Sequence, residues 1–307
     1  MPLILGQKRN SANWHKLLIV CGDVNVGCFG DTSGRGSRMG QRKQSIDMAR
    51  VQQILEQDPE WSAYAIADLQ PSFAPYCRWF VTSEDEEDGV VLLFTALDPP
   101  ILLAVGTPAA VTTLLDGAML PERVFISARH EHLPLIQQWY RFDLPEQGTS
   151  LDFMKRMVFC HPEALTDLVP STVIRLGAAD APQIDQLLTH GGAFTPDAFD
   201  PFQLDNGVFY GITSDDGELL AMGGTHIVDW TGGVGAVGNM YTHPDYRGRG
   251  YARLLLSAVV GALQTGGVET IVLNVNETNT VARRLYTEHG FAIHCDFVEG
   301  IGVKCKT

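Results

Sequence analysis

A strand-like run over residues 234–242 ends in Asn239-Met240-Tyr241-Thr242 and passes through His243-Pro244-Asp245-Tyr246 into Arg247-Gly248-Arg249-Gly250-Tyr251-Ala252, where an amphipathic helical pattern starts and runs to 264. This order of strand, glycine turn and helix narrows what the segment can build. The first turn of a helix has backbone N–H groups without intrahelical acceptors, together with the positive end of the helix dipole. Gly248 and Gly250 let the main chain approach a ligand closely and adopt dihedrals closed to other residues. Such a turn can cradle a pyrophosphate, and Arg247 and Arg249 add charge beside it. Taken alone, it is better read as an ordinary helix cap. It is not a dinucleotide fingerprint, since GxGxxG is absent, and not a Walker loop, since no Gly-Lys-Ser/Thr follows.

A second segment removes the ambiguity. Leu273-x-Val275-x-x-x-Asn279-x-x-Ala282-x-x-Leu285-Tyr286-x-x-x-Gly290-Phe291 reads as strand, turn, helix and strand. Ala282, Leu285 and Tyr286 share one helical face, Gly290 ends the helix and Phe291 opens the next strand. In this order and spacing the two segments closely resemble the GNAT acetyltransferase superfamily over about residues 173–298. The family's Arg/Gln-x-x-Gly-x-Gly/Ala loop looks matched from Arg247 to Ala252, and its Asn-x-x-Ala-x-x-Leu-Tyr-x-x-x-Gly-Phe helix from Asn279 to Phe291.

The resemblance implies an acetyl-CoA-dependent N-acetyltransferase. Main-chain amides of Gly248, Arg249, Gly250, Tyr251 and Ala252, beside Arg247, are expected to hold the coenzyme A pyrophosphate. Met240, Tyr241 and Thr242 are expected to pair with the pantetheine arm, and an amide of Met240 or Tyr241 to polarise the thioester carbonyl. Asn274 and Asn279 are expected at the coenzyme. Tyr286 is expected to protonate the departing thiolate, the alternative being a core aromatic with a bonded hydroxyl. The amine would attack directly, with no covalent enzyme intermediate and no metal, so the cysteines need no role. The general base is open: Asn239 cannot act as one, and His226 is the best single candidate, although a lone strand histidine is more often structural. The loop after the first helix of this half offers Phe194, Phe199 and Phe202 with Asp197 as acceptor contacts, or simply a packed loop with an acidic edge.

Composition sets the wider frame. The chain has 307 residues, which favours two domains, and 45% hydrophobic against 19% charged residues is ordinary for a globular protein. A net charge of -14 argues against a nucleic-acid partner. Six cysteines without a CxxC pair argue against a zinc ribbon and fit a reducing, cytoplasmic setting. No secretory signal is visible. The greasy run 90–111 is broken by Asp98-Pro99-Pro100, so it reads as two buried strands rather than a membrane span.

The expected class is α/β, an α+β mixed sheet with helices on both faces. Residues 1–46 read as a flexible arm, with seven Lys/Arg against three Asp/Glu over 1–47. Residues 47–165 read as a degenerate GNAT-like domain, similar to two-domain relatives such as glycine N-acyltransferase-like proteins. Residues 170–307 read as the catalytic GNAT domain. In the first half, a helix is expected from Asp47 with Val51, Ile54 and Leu55 inward, then strands at 78–82, 90–97, 101–105, 123–128 and 153–160, with helices at 108–115 and 132–140. Val105-Gly106-Thr107-Pro108-Ala109 stands where a phosphate loop would sit but lacks its glycine pattern. In the second half, strands are expected at 173–176, 208–213, 219–228, 234–242, 270–275 and 291–298, helices at 181–190, 251–264 and 280–288, and an irregular stretch at 191–207. A small-molecule amine acceptor and a monomer or homodimer complete the expectation; a peptide acetyltransferase and a non-catalytic acyl-CoA sensor are the alternatives.

Overall fold

A computed structural model of the chain describes residues 46–164, 170–196 and 199–305. The expected arm therefore lies outside the described residues, apart from its last residue, and so do residues 165–169 at the boundary between the two expected domains.

The first half runs α1 (Met48–Leu55), α2 (Pro59–Ala67), β1 (Cys77–Val81), β2 (Gly89–Phe94), β3 (Ile101–Gly106), α3 (Pro108–Gly117), β4 (Arg123–Arg129), α4 (Leu133–Ile136), β5 (Tyr140–Arg141) and β6 (Asp152–Phe159). The second half runs β7 (Val173–Arg175), α5 (Ala181–Leu188), α6 (Phe202–Asn206), β8 (Phe209–Thr213), β9 (Leu219–Asp229), β10 (Val234–Thr242), α7 (Tyr251–Thr265), β11 (Thr270–Asn276), α8 (Thr280–Glu288) and β12 (Phe291–Lys304). Side-chain caps start several helices. Asp47 accepts from the Arg50 amide at 3.1 Å, and Asp58, just ahead of Pro59, accepts from the Trp61 amide at 3.0 Å.

All twelve strands join one mixed sheet in the order β1-β2-β3-β4-β12-β6-β11-β10-β9-β8-β7, with β5 alongside β12. Two pairs are parallel, β3 with β4 and β10 with β11, and each is bridged by a helix, α3 and α7 respectively. The same β-α-β unit thus occurs in both halves. The halves also exchange strands. β6, from the first half, lies between β11 and β12, and β12 goes on to pair with β4.

Four features differ from the sequence expectation. The expected helix at 132–140 is one turn, α4, because the chain bends back to give β5. β12 runs six residues beyond 298, since it spans partners in both halves. The expected irregular stretch 191–207 contains α6. The unexpected helix is α2, with sequence Pro-Glu-Trp-Ser-Ala-Tyr-Ala-Ile-Ala. Its apolar residues go almost all the way round, the pattern of a helix buried on several sides.

That burial is observed. α1 and α2 sit in one cluster with Trp79, Val90, Leu92, Leu103 and Val105 of the first half and with Val234, Ala236 and Val272 of the second. Trp61 is 1% exposed and donates its ring N–H to the Ala104 carbonyl at 3.1 Å. α7 and α8 pack with Met157, Val237, Leu273 and Val275 in a separate cluster, while α5 and α6 pack with Phe209, Met222 and Tyr241. No helix among the described residues is long and apolar enough to cross a membrane.

Candidate active site

The site begins where two strands part. β10 and β11 are paired from Val234 with Thr270 to Val237 with Leu273. Beyond that point β11 stays on β6 as far as Asn276 opposite Met154, whereas β10 stays on β9, with Tyr241 and Thr242 opposite Met222 and Ala221. A cleft therefore opens between neighbouring strands of a continuous sheet. At its apex the β9–β10 register shifts between Gly238 and Tyr241, and Asn239 adopts a φ of 53°. This is a bulge, which turns main-chain groups out of the ladder: neither Asn239 nor Met240 has a register partner on β9, although the Asn239 side-chain amide donates to the Thr225 carbonyl at 3.5 Å. Asn239 is buried. Its Nδ2 donates to Gln203 Oε1 at 3.1 Å, and its Oδ1 has no partner among the described residues.

The glycine turn stands at the open end of β10. Gly248 and Gly250 have φ values of 77° and 79°, and Gly250 is the N-cap of the 15-residue helix α7. Main-chain bonding stops at Arg247, whose amide donates to Pro244 at 3.4 Å, and resumes at Arg253, whose amide donates to Gly250 at 3.1 Å. Among the described residues, the amides of Gly248, Arg249, Gly250, Tyr251 and Ala252 have no main-chain acceptor outside the helix's own ladder, which the first helical amides lack by geometry. Arg247 donates from Nε to the Thr242 carbonyl at 3.2 Å and lies over the Tyr241 ring, 5.9 Å from its centroid; Arg249 lies over Tyr246 at 4.9 Å. These residues suit a polyanion such as the coenzyme A pyrophosphate.

Tyr286, on α8, is 8% exposed and shares a core cluster with Val237, Leu273 and Val275, at and just beyond the point where the strands part. Burial pushes its hydroxyl up to about 12, so it is a protonated donor at neutral pH. The Tyr241 hydroxyl donates to the Gly191 carbonyl at 2.7 Å, which ties β10 to the loop after α5. Its side chain is thus committed, and a catalytic part for Tyr241 is confined to its main chain. The same holds for two asparagines. Asn279 caps α8, accepting from the Ala282 amide at 3.2 Å. Asn274 accepts from Arg156 Nε at 2.7 Å and donates to Glu299 Oε1 at 3.1 Å, so its side-chain amide is occupied at both ends.

On the sheet face that carries α2, α5 and α6, the expected base candidate His226 gathers polar partners that sequence reasoning did not foresee. His226, on β9, meets the Tyr64 hydroxyl of α2 through Nδ1 at 3.1 Å, and Gln203 of α6 donates to the His226 carbonyl at 3.2 Å. Arg156, on β6, is fully buried. It donates to the Glu60 and Trp61 carbonyls at 2.9 and 3.1 Å, and lies over the Tyr64 ring at 5.0 Å. Burial holds the Tyr64 hydroxyl well above the ordinary range, against a smaller opposing pull from Arg156. The partners stand far apart in sequence and in no recognisable motif, so local pattern gave no signal for them.

The expected acceptor loop is only partly gathered. Phe202 opens α6 and meets Phe73 of the first half at 6.4 Å. Phe199 packs into the α5–α6 core at 6.0 Å from Phe209. Phe194 is 49% exposed, with a φ of 61°. Asp197 lies outside the described residues. Burial raises the Cys77 and Cys295 thiols to about 12 and 11, which leaves both as unreactive thiols.

The family model described as "Acetyltransferase (GNAT) family" matches residues 182–291. The chain is 40% identical over 53 residues to a [ribosomal protein bS18]-alanine N-acetyltransferase of Haemophilus ducreyi, covering 17% of this chain and 37% of that protein. It is 35% identical over 112 residues to a mycothiol acetyltransferase of Tsukamurella paurometabola, covering 36% of this chain and 37% of that one. In each case the match spans little more than a third of the relative. A GCN5-related N-acetyltransferase structure from Kribbella flavida shares the fold, at 19% identity and a TM-score of 0.50, over 79% of this chain and 95% of its own.

Proposed function

Because the chain carries an acetyltransferase (GNAT) domain over residues 182–291, we propose that it is an N-acyltransferase using acetyl-CoA, with a small-molecule amine as acceptor. One observation carries the reading: β10 and β11 separate after Val237 and Leu273, and β10 then leads into a turn of five amides without main-chain acceptors outside the α7 ladder among the described residues. Bound acetyl-CoA would supply an activated acyl carbonyl and a thiol leaving group.

The chain's own residues then divide the work. The amides of Gly248 to Ala252 and the α7 dipole hold the pyrophosphate. The bulge frees the Met240 amide to donate to the carbonyl oxygen as negative charge develops there. Tyr286 hands its hydroxyl proton to the departing sulfur. His226 takes a proton from the acceptor nitrogen. Two protons leave that nitrogen in all: one reaches sulfur by way of Tyr286, and the other leaves to solvent by way of His226. Residues 47–165 and 170–307 are read as two GNAT-like halves, supported by the repeated β-α-β unit, with α2 of the first half lining the acceptor side.

One relative is named for a protein alanine and another for mycothiol, so the test panel needs both kinds of amine. Full-length protein with acetyl-CoA should release thiol with at least one small-molecule amine and not with alanine-terminated peptides. Release with peptides alone would move the acceptor to protein, and release with neither would leave a coenzyme-binding protein.

A further inference from the structure

The His226 ring lies against Gly238: a Cβ built at 238 would fall within contact of Cδ2, Nε2 and Cγ of the imidazole. Nε2 therefore lies beside the residue that precedes the Asn239 bulge, next to the main chain read above as holding the carbonyl oxygen. The other ring nitrogen, Nδ1, meets Tyr64 at 3.1 Å. Tyr64 belongs to α2, 162 positions earlier in the chain and in the other half of the protein. Its ring is held in turn by Arg156, which is fully buried and clamped to the Glu60 and Trp61 carbonyls of the same helix. The imidazole is thus fixed on one edge by a glycine of the catalytic half and on the other by a tyrosine of the first half.

We propose that Tyr64 is the positioning residue for His226, making the acceptor base of the second half dependent on a helix of the first. The inference rests on the reading of the chain as an acyltransferase. A histidine takes a proton at Nε2 only from the tautomer that carries hydrogen on Nδ1, and that hydrogen needs an acceptor. The phenol oxygen provides it. Once Nε2 has its proton both ring nitrogens are donors, and the same oxygen still accepts from Nδ1, so the ring need not turn between the two states. The proton moves from the acceptor ammonium to Nε2 and on to solvent; Tyr64 keeps its own hydroxyl proton throughout. This gives the first half a catalytic purpose although its Val105-Gly106-Thr107-Pro108-Ala109 turn lacks the phosphate-loop glycines.

The test uses the full chain and the variants Tyr64→Phe, His226→Gln and the double variant. Nitrogen-15 spectra of the imidazole, recorded without any ligand, should show His226 protonated on Nδ1 in the wild type and shifted toward the Nε2–H tautomer in Tyr64→Phe. With an amine found by the thiol-release panel, Tyr64→Phe should lower kcat about tenfold with little change in acceptor KM, and acetyl-CoA affinity by calorimetry should stay within twofold. His226→Gln should lower kcat at least as far, and the double variant no further than His226→Gln alone. A wild-type tautomer in Tyr64→Phe, or kcat losses that multiply in the double variant, would overturn the proposal while leaving the acyltransferase reading intact. Absence of acetyl-CoA binding in the wild type would instead defeat that reading; the tautomer spectra stand apart from it.

Discussion

Gly238 and His226 occupy complementary volumes: the imidazole fills the space that any side chain at 238 would need. The relation joins two neighbouring strands, β9 and β10, at the point where β10 leaves its ladder. Gly238→Ala should therefore displace the ring rather than simply crowd it. Overpacking of this kind costs about 1–3 kcal/mol of stability. Activity should fall at least tenfold while acetyl-CoA binding, which involves the far side of the bulge, persists. Thermal melts and calorimetry on one preparation check both; unchanged turnover would show that the ring's place is immaterial.

Arg156 ties α2 to the sheet. Replacing it by Met would leave the Glu60 and Trp61 carbonyls and Asn274 Oδ1 without the donor that the fully buried guanidinium supplies. Losing one side of such a network costs about 3–5 kcal/mol. Urea unfolding of Arg156→Met should show a loss of that order. A loss below about 1 kcal/mol would mean that the neighbours find other partners.

Asp68, at the C-terminal end of α2, gives a pH-dependent term. Burial raises its carboxyl from 3.8 to about 8. The folded chain then keeps a proton that the unfolded chain gives up across that interval, so stability falls as pH rises from about 4 to about 8. Asp68→Asn should leave the melting temperature nearly unchanged at pH 4 and raise it at pH 9. Equal shifts at both pH values would contradict the assignment.

Tyr286→Phe keeps the packed ring and removes only the hydroxyl. We expect kcat to fall about 10–100-fold with the melting temperature nearly unchanged. Because burial holds this hydroxyl up to about 12, loss of its proton cannot produce an alkaline fall in rate below about pH 11. A wild-type kcat in the variant would return Tyr286 to the role of a core aromatic.

The second half was legible because its chemistry is local. The glycine turn between Arg247 and Ala252 and the 279–291 helix each lie within one short segment, and every strand of that half begins within one residue of its expected start, although β12 runs well past its expected end. What escaped is non-local or non-periodic. α2 has no polar face, since it is wedged between strands of both halves, so a search for amphipathic period passes over it. The insertion of β6 between β11 and β12 leaves no trace in the sequence, because inward and outward alternation does not say which strand lies alongside. Asn274 shows the limit of motif reasoning at single residues. The family resemblance implied a coenzyme contact for it, while its side chain turns to Arg156 and Glu299.

Calorimetric titration of acetyl-CoA into the wild type and Gly250→Trp tests the central claim most directly. Gly250 has a φ of 79° at the head of α7, so an indole there both strains the turn and covers the amides around it. The account predicts micromolar binding to the wild type and none to the variant, with the fold retained by circular dichroism. No binding to the wild type, or equal binding to both, would contradict it.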